Sequence, residues 1–164
     1  MGPAEDADFT AFVLAAQHRL RRTAWLICGD HHRSQDLVQT AFARMYSRWA
    51  ALSRNGDPYA YAHRVVVNAA IDEGRRAWRR EHVTEAIPDQ AAPAAGEIAA
   101  EVLAALAALP RGQRAVVVLR HIEDLDVETT AQVLGISPGT VKSQAAKGRA
   151  TLRAKLSSEF GALR

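Results

Sequence analysis

A chain of 164 residues with Cys28 as its only cysteine can form no internal disulfide and no cysteine-built zinc site, and gives no sign of an oxidising compartment. Set beside Trp25, Leu26 and Ile27, Cys28 reads as a small buried residue. No apolar run approaches the roughly 18 residues that a membrane crossing needs. The start of the chain holds Glu5, Asp6 and Asp8 and no base, which is not the basic opening of a signal peptide. The expectation is a cytoplasmic protein without membrane insertion. Alternating strand patterns and tandem repeats are also missing. So are a glycine-rich phosphate loop and a nucleophile elbow. His31 and His32 are adjacent and would point in different directions on a regular element, a poor start for a metal site. Asp72 and Glu73 lie beside arginines, where ion pairing or helix geometry accounts for them. No catalytic residue, metal or cofactor is expected, and an enzyme is disfavoured.

What is present is positive charge in particular places. The formal net charge is only +3, but arginine outnumbers lysine eighteen to three and the basic residues gather in two separate runs. That distribution points to a polyanion met at two places. The second run lies in Asp126–Leu156, which reads as a short helix, a tight turn and a longer basic helix. Asp126 is placed to cap the first helix, and Gly135 to end it in a left-handed conformation with Ile136 packing back. Ser137 followed by Pro138 is a second helix start. Val141, Ala145, Gly148, Leu152 and Leu156 then share one face at steps of three and four, so that face is expected to be buried. Lys142, Ser143, Lys147, Arg149 and Arg153 stay outside, with no Asp or Glu between Pro138 and Leu156. A solvated basic helix end is the plain alternative. Turn signature, caps and lack of acids together favour a DNA-binding helix-turn-helix.

Upstream, apolar residues from Phe9 to Ile27 recur at helical spacing with Gly29 as a stop. A second helix is expected from about Ser34, with the Ser34 hydroxyl as cap and Leu37, Val38, Ala41, Phe42, Met45 and Trp49 inward. Asn55-Gly56-Asp57-Pro58 marks a turn, after which a third helix runs to about Glu81. Asn68 interrupts its aliphatic face and marks a candidate kink or loop. Beyond Asn68 come Arg75, Arg76, Trp78, Arg79 and Arg80, where cations suit a phosphate backbone and an aromatic ring suits an unpaired base; Trp78 folded onto the core is an equal alternative. Residues 83–96 hold two prolines, several alanines and no Lys, Arg or aromatic residue, and read as a flexible linker. Such a stretch spans about 20 Å on average and about 45 Å at most, so the lobes are free to engage separate sites. The fold class expected is all-α: two small helical domains, residues 1–82 and 97–164, the second with four helices and the helix-turn-helix.

Four motifs in this order resemble the small two-domain RNA polymerase sigma factors of the extracytoplasmic-function type, over about residues 8–157. They are Asp36-Leu37-Val38-Gln39-Thr40-Ala41-Phe42, Val67-Asn68-Ala69-Ala70-Ile71-Asp72 with Arg75-Arg76, Leu109-Pro110 with Gln113-Arg114, and Gly139-Thr140-Val141-Lys142-Ser143. The resemblance implies core RNA polymerase and promoter DNA as partners, with an anti-sigma factor as a further candidate. It implies that Asp36, Gln39 and Phe42 dock on the polymerase and that Asn68 lies where a flipped base of the minus-ten element is held. The arginine cluster with Trp78 would hold the nearby strand and duplex. Lys142, Ser143 and Lys147 match positions that contact the minus-thirty-five element, with Arg149 and Arg153 alongside. An ordinary helix-turn-helix repressor or activator is the rival reading. The sequence departs from the family pattern at Tyr61, Thr130, Gln144 and Ala146, and at Gly148, where a helix-interior glycine costs about 1 kcal/mol.

Overall fold

The computed structural model describes residues 1–81 and 100–162, with side chains described for 1–73 and 100–157. The expected linker, 83–96, lies outside the described residues. Helices α1 (Pro3–Cys28), α2 (His31–Tyr46), α3 (Trp49–Asn55) and α4 (Pro58–Glu81) form a first lobe. Helices α5 (Ala100–Ala107), α6 (Arg111–Val117), α7 (Val127–Leu134) and α8 (Pro138–Ala162) form a second, α6 running on into a π-helical turn, Val118–Ile122. No strand occurs among the described residues.

Helix α1 starts before Phe9 because Pro3 suits a first helical position and the Glu5 carboxylate accepts from Gly2 N at 3.1 Å. It ends as expected: Gly29 has φ 78° and its N–H donates to Trp25 O at 2.8 Å. The start of α2 differs from expectation. Asp30, not Ser34, is the cap, accepting from Arg33 N at 2.9 Å, while Ser34 is buried inside the helix and its hydroxyl donates to His31 O. Trp49, expected on α2, belongs to the separate α3, because the chain breaks at Ser47–Arg48 and re-enters helix. There it meets Phe9 edge-on with ring centroids 5.1 Å apart and Phe12 at 5.2 Å, closing the aromatic end of the core. Asp57 caps α4 as expected, accepting from Ala60 N.

The two lobes share one apolar core, and a smaller cluster of Val116, Ala131, Val141 and Ala145 lies within the second lobe. Leu20, Leu26, Val38, Met45, Val66 and Val67 of the first are buried in the same cluster as Leu106, Val117, Val118, Leu119 and Val133 of the second. Polar contacts line the seam. Arg114 Nε donates to Leu26 O at 2.6 Å. Helix α1 has no basic residue in its own last turn, so this guanidinium supplies the positive charge its carbonyl end favours. Burial lowers the affinity of Arg114 for its proton, and burial is also the main reason that the neighbouring Cys28 thiol is pushed up to about 11. Cys28 itself is half-buried rather than fully enclosed. Glu123, just past the π-helical turn, reaches between α1 and α4: one carboxylate oxygen accepts from the Thr23 hydroxyl and the other lies 2.5 Å from His63 Nε2. Asp124, in the left-handed region at φ 56°, then turns the chain toward α7. Asn68 Nδ2 crosses the seam as well, donating to Val133 O at 3.1 Å.

Candidate nucleic-acid interface

The helix-turn-helix forms as its residues dictate. Asp126 Oδ1 accepts from Thr129 N at 2.6 Å, which holds its carboxyl below the usual carboxylate range. Gly135 ends α7 with φ 67°, and Ile136 N donates to Ala131 O. Ser137 Oγ accepts from Thr140 N at 3.1 Å to open α8. Val141, Ala145 and Gly148 are buried and Leu152 and Leu156 partly so. The opposite side displays Lys142, Ser143, Lys147, Arg149 and Arg153, all exposed.

Three departures from the family pattern acquire physical reasons. Thr130 is fully buried and its hydroxyl donates to Asp126 O at 2.8 Å, tying the core of α7 to its own capping residue. Gln144 is half-buried on the side facing α6, its amide nitrogen 4.0 Å from where a Cβ on Gly112 would stand. It therefore packs between helices, and Ala146 is the exposed member of the pair. At Gly148 a Cβ would come within 2.6 Å of Val117 Cγ2, so the glycine sets how closely α8 lies on α6.

Asn68 does not kink α4, which is continuous from Pro58 to Glu81. Its amide donates back to Arg64 O at 2.8 Å, absorbing locally the bonding that could have broken the helix, and also across the seam to Val133 O. Two carbonyl acceptors fix the orientation of the amide. Arg75, Arg76, Trp78 and Arg79 fall within α4, and their side chains lie outside the described residues.

On α2, Asp36 and Gln39 are exposed, whereas Phe42 is only 8% exposed. Phe42 packs edge-on against Phe12 with centroids 6.2 Å apart, so most of its surface serves the core. It still contributes to the floor of a groove of about 500 Å³ between α1 and α2, where Phe9, Val13, Gln39 and Tyr46 also line the walls. Residues near the seam, Arg114, Glu123 and His63, were not singled out from sequence as a group. Their partners are 60 to 100 residues away, beyond the reach of any local pattern. Among the described residues no cluster of three or more potential metal ligands occurs, and no helix is long and apolar enough to cross a membrane.

Residues 12–80 match the family model for Sigma-70 region 2, and residues 99–152 match that for Sigma-70, region 4. The chain is 37% identical over 161 residues to the RNA polymerase sigma-E factor of Streptomyces avermitilis, an alignment covering 96% of this chain and 90% of that protein. It is 35% identical over 141 residues to the ECF RNA polymerase sigma factor SigM of Mycobacterium tuberculosis, covering 82% of this chain and 70% of the relative. Among solved structures it is similar to CnrH in complex with the cytosolic domain of CnrY, with a TM-score of 0.65, 27% identity and 93% and 90% of the two chains covered. The fold is also that of the sigma factor RpoE from Bartonella quintana, solved in complex with the anti-sigma factor NepR, with a TM-score of 0.70, 21% identity and coverage of 92% and 97%.

Proposed function

This chain belongs to the extracytoplasmic-function sigma factors of RNA polymerase, within the sigma-70 family, and from that membership we propose how its surfaces divide the work of promoter recognition. As an alternative sigma factor it binds core RNA polymerase and directs initiation at its promoters. It does so without covalent chemistry of its own, in the cytoplasm where the polymerase works. Residues 1–82 form the polymerase and minus-ten unit, 83–96 the linker, and 97–164 the minus-thirty-five unit.

The observation that carries this division is the capped α8, free of acidic residues from Pro138 to Leu156, with its five basic or hydroxyl side chains exposed on a helix-turn-helix. Such a helix suits the major groove, with Lys142, Ser143 and Lys147 toward the upstream element and Arg149 and Arg153 on flanking phosphates. Asp36 and Gln39 present polar groups from α2 to the polymerase, and Phe42 supports them from beneath. Asn68, exposed on α4, lies beside an extruded base, and Arg75, Arg76, Trp78 and Arg79 hold the adjoining strand. Because CnrH was solved with the cytosolic domain of CnrY, the proposal includes an anti-sigma partner for this chain too.

Runoff transcription tests the reading. Core polymerase is combined with a library of host promoter fragments, with and without the protein. The expected outcome is a set of transcripts that depends on the protein; binding to DNA with no protein-dependent start would leave only a repressor or activator.

A further inference from the structure

Helix α8 carries short side chains where it protrudes most. At about 100° per residue, Ser143, Ala146 and Ala150 fall opposite the buried line of Val141, Ala145 and Gly148, and all three are exposed. Lys142, Arg149 and Arg153 rise on one flank of this ridge and Lys147 on the other. Gln144, whose longer amide could have covered the ridge, is instead half-buried toward α6 beside Gly112.

The consequence is steric and chemical together. Short side chains on the ridge let the helix axis approach the floor of a major groove while the flanking cations stay level with the phosphates. A methyl group carried there has no hydrogen bond to offer. Its favourable neighbour on a base edge is another methyl, and among the four bases only thymine displays one in the major groove. The polar edges of the other three would lose water to an approaching alanine and gain no partner in return.

Ala146 and Ala150 are not equivalent. Ala146 lies within about the first three turns of α8, three residues beyond Ser143 and four beyond Lys142, in the part of such a helix that meets base edges. Ala150 lies a further turn along, between Arg149 and Arg153. We infer that Ala146 selects thymine at one position of the upstream element, its methyl packing on the thymine methyl between the phosphate grips of Lys142 and Lys147. The inference rests on the reading of α8 given above and deepens it. The lysines supply affinity that every sequence shares, and Ala146 adds a choice of base.

The test uses the full chain to select from a randomised duplex pool. The enriched duplex is then resynthesised with deoxyuridine in place of each thymine in turn, which keeps the pairing and removes one methyl. Anisotropy reads affinity for the wild type, Ala146→Gly and Ala150→Gly; the two variants carry the same helix-propensity cost, and circular dichroism checks that their helix content matches. Expected is one thymine whose replacement weakens wild-type binding about four-fold, the worth of one buried methyl. Ala146→Gly should bind the thymine duplex more weakly by the same factor and ignore the replacement, while Ala150→Gly still senses it. No enriched sequence, no thymine whose methyl matters, or a discrimination that survives Ala146→Gly overturns the inference. If the methyl effect follows Ala146 while runoff initiation is absent, Ala146 stands as a base reader and the sigma assignment is what fails. Initiation with no methyl effect keeps the sigma assignment and removes the role of Ala146.

Discussion

Gly148 on α8 and Val117 on α6 meet so closely that a single added methyl at the glycine would stand 2.6 Å from Val117 Cγ2. In an open helix interior, glycine to alanine is expected to stabilise by up to about 1 kcal/mol. Here the added carbon enters a filled site, where overpacking costs about 1–3 kcal/mol. Gly148→Ala should therefore lower the urea midpoint, and pairing it with Val117→Ala should recover part of the loss. A higher midpoint for the single variant would show that the helices separate without cost.

The exposed lysines of α8 make a prediction about salt. Removing two phosphate contacts reduces the slope of log affinity against log salt by up to about two units. Lys142→Ala with Lys147→Ala should flatten the slope for upstream duplex binding by that amount and weaken binding. An unchanged slope, measured by titration at several salt concentrations, would rule out phosphate roles for both.

Asn68→Ala should impair strand opening while leaving affinity for core polymerase intact, because Asn68 lies on α4 and the exposed docking candidates lie on α2. Permanganate footprinting of the promoter reads opening, and a pull-down with core enzyme reads assembly. Loss of core binding would make Asn68 a structural residue.

Acid should find the cap of α7. The Asp126 carboxyl is held below its ordinary range chiefly by the Thr129 backbone N–H, so its folded-state value lies beneath the unfolded one. Its stabilisation is then fully present above the unfolded value and is lost as pH falls through the folded one. Asparagine caps comparably but carries no charge. The wild-type chain should exceed Asp126→Asn in urea midpoint near neutral pH, and the gap should narrow as pH falls below the ordinary carboxylate range. A gap independent of pH would place the difference elsewhere.

The parts of this molecule legible from its sequence are those governed by neighbours in the chain. Helical spacing placed the core faces of α1, α4 and α8, and turn chemistry placed Gly29, Asp57, Asp126, Gly135 and Ser137 in the roles they fill. Errors arose where two local signals competed. Asp30 and Ser34 are both good caps, and the buried position of Ser34 decided for Asp30. Trp49 followed the period of α2 but belongs to α3, since a short break at Ser47–Arg48 carries neither proline nor glycine to announce it. The reason for Gly148 lies in Val117, and the second bond of Asn68 lies in Val133, neither of which has any sequence relation to its partner. The freely separated lobes expected from residues 83–96 are, in the structure, joined across one core.

The π-helical turn at Val118–Ile122 carries a genetic consequence. Such a turn holds one more residue than an α-helix would over the same rise, and Glu123 N closes it on Val118 O five positions back. Deleting one codon from this stretch would return it to α-helix with the following residues near their present orientation, whereas deleting one from the regular α6 before it would swing them by roughly 100° about the helix axis. Glu123 would then face away from Thr23 and His63 with its chemistry unaltered. Whether the two halves of this protein restrain one another is thus set by reading-frame-preserving length as much as by amino-acid identity, a change that a substitution scan of the seam would never sample.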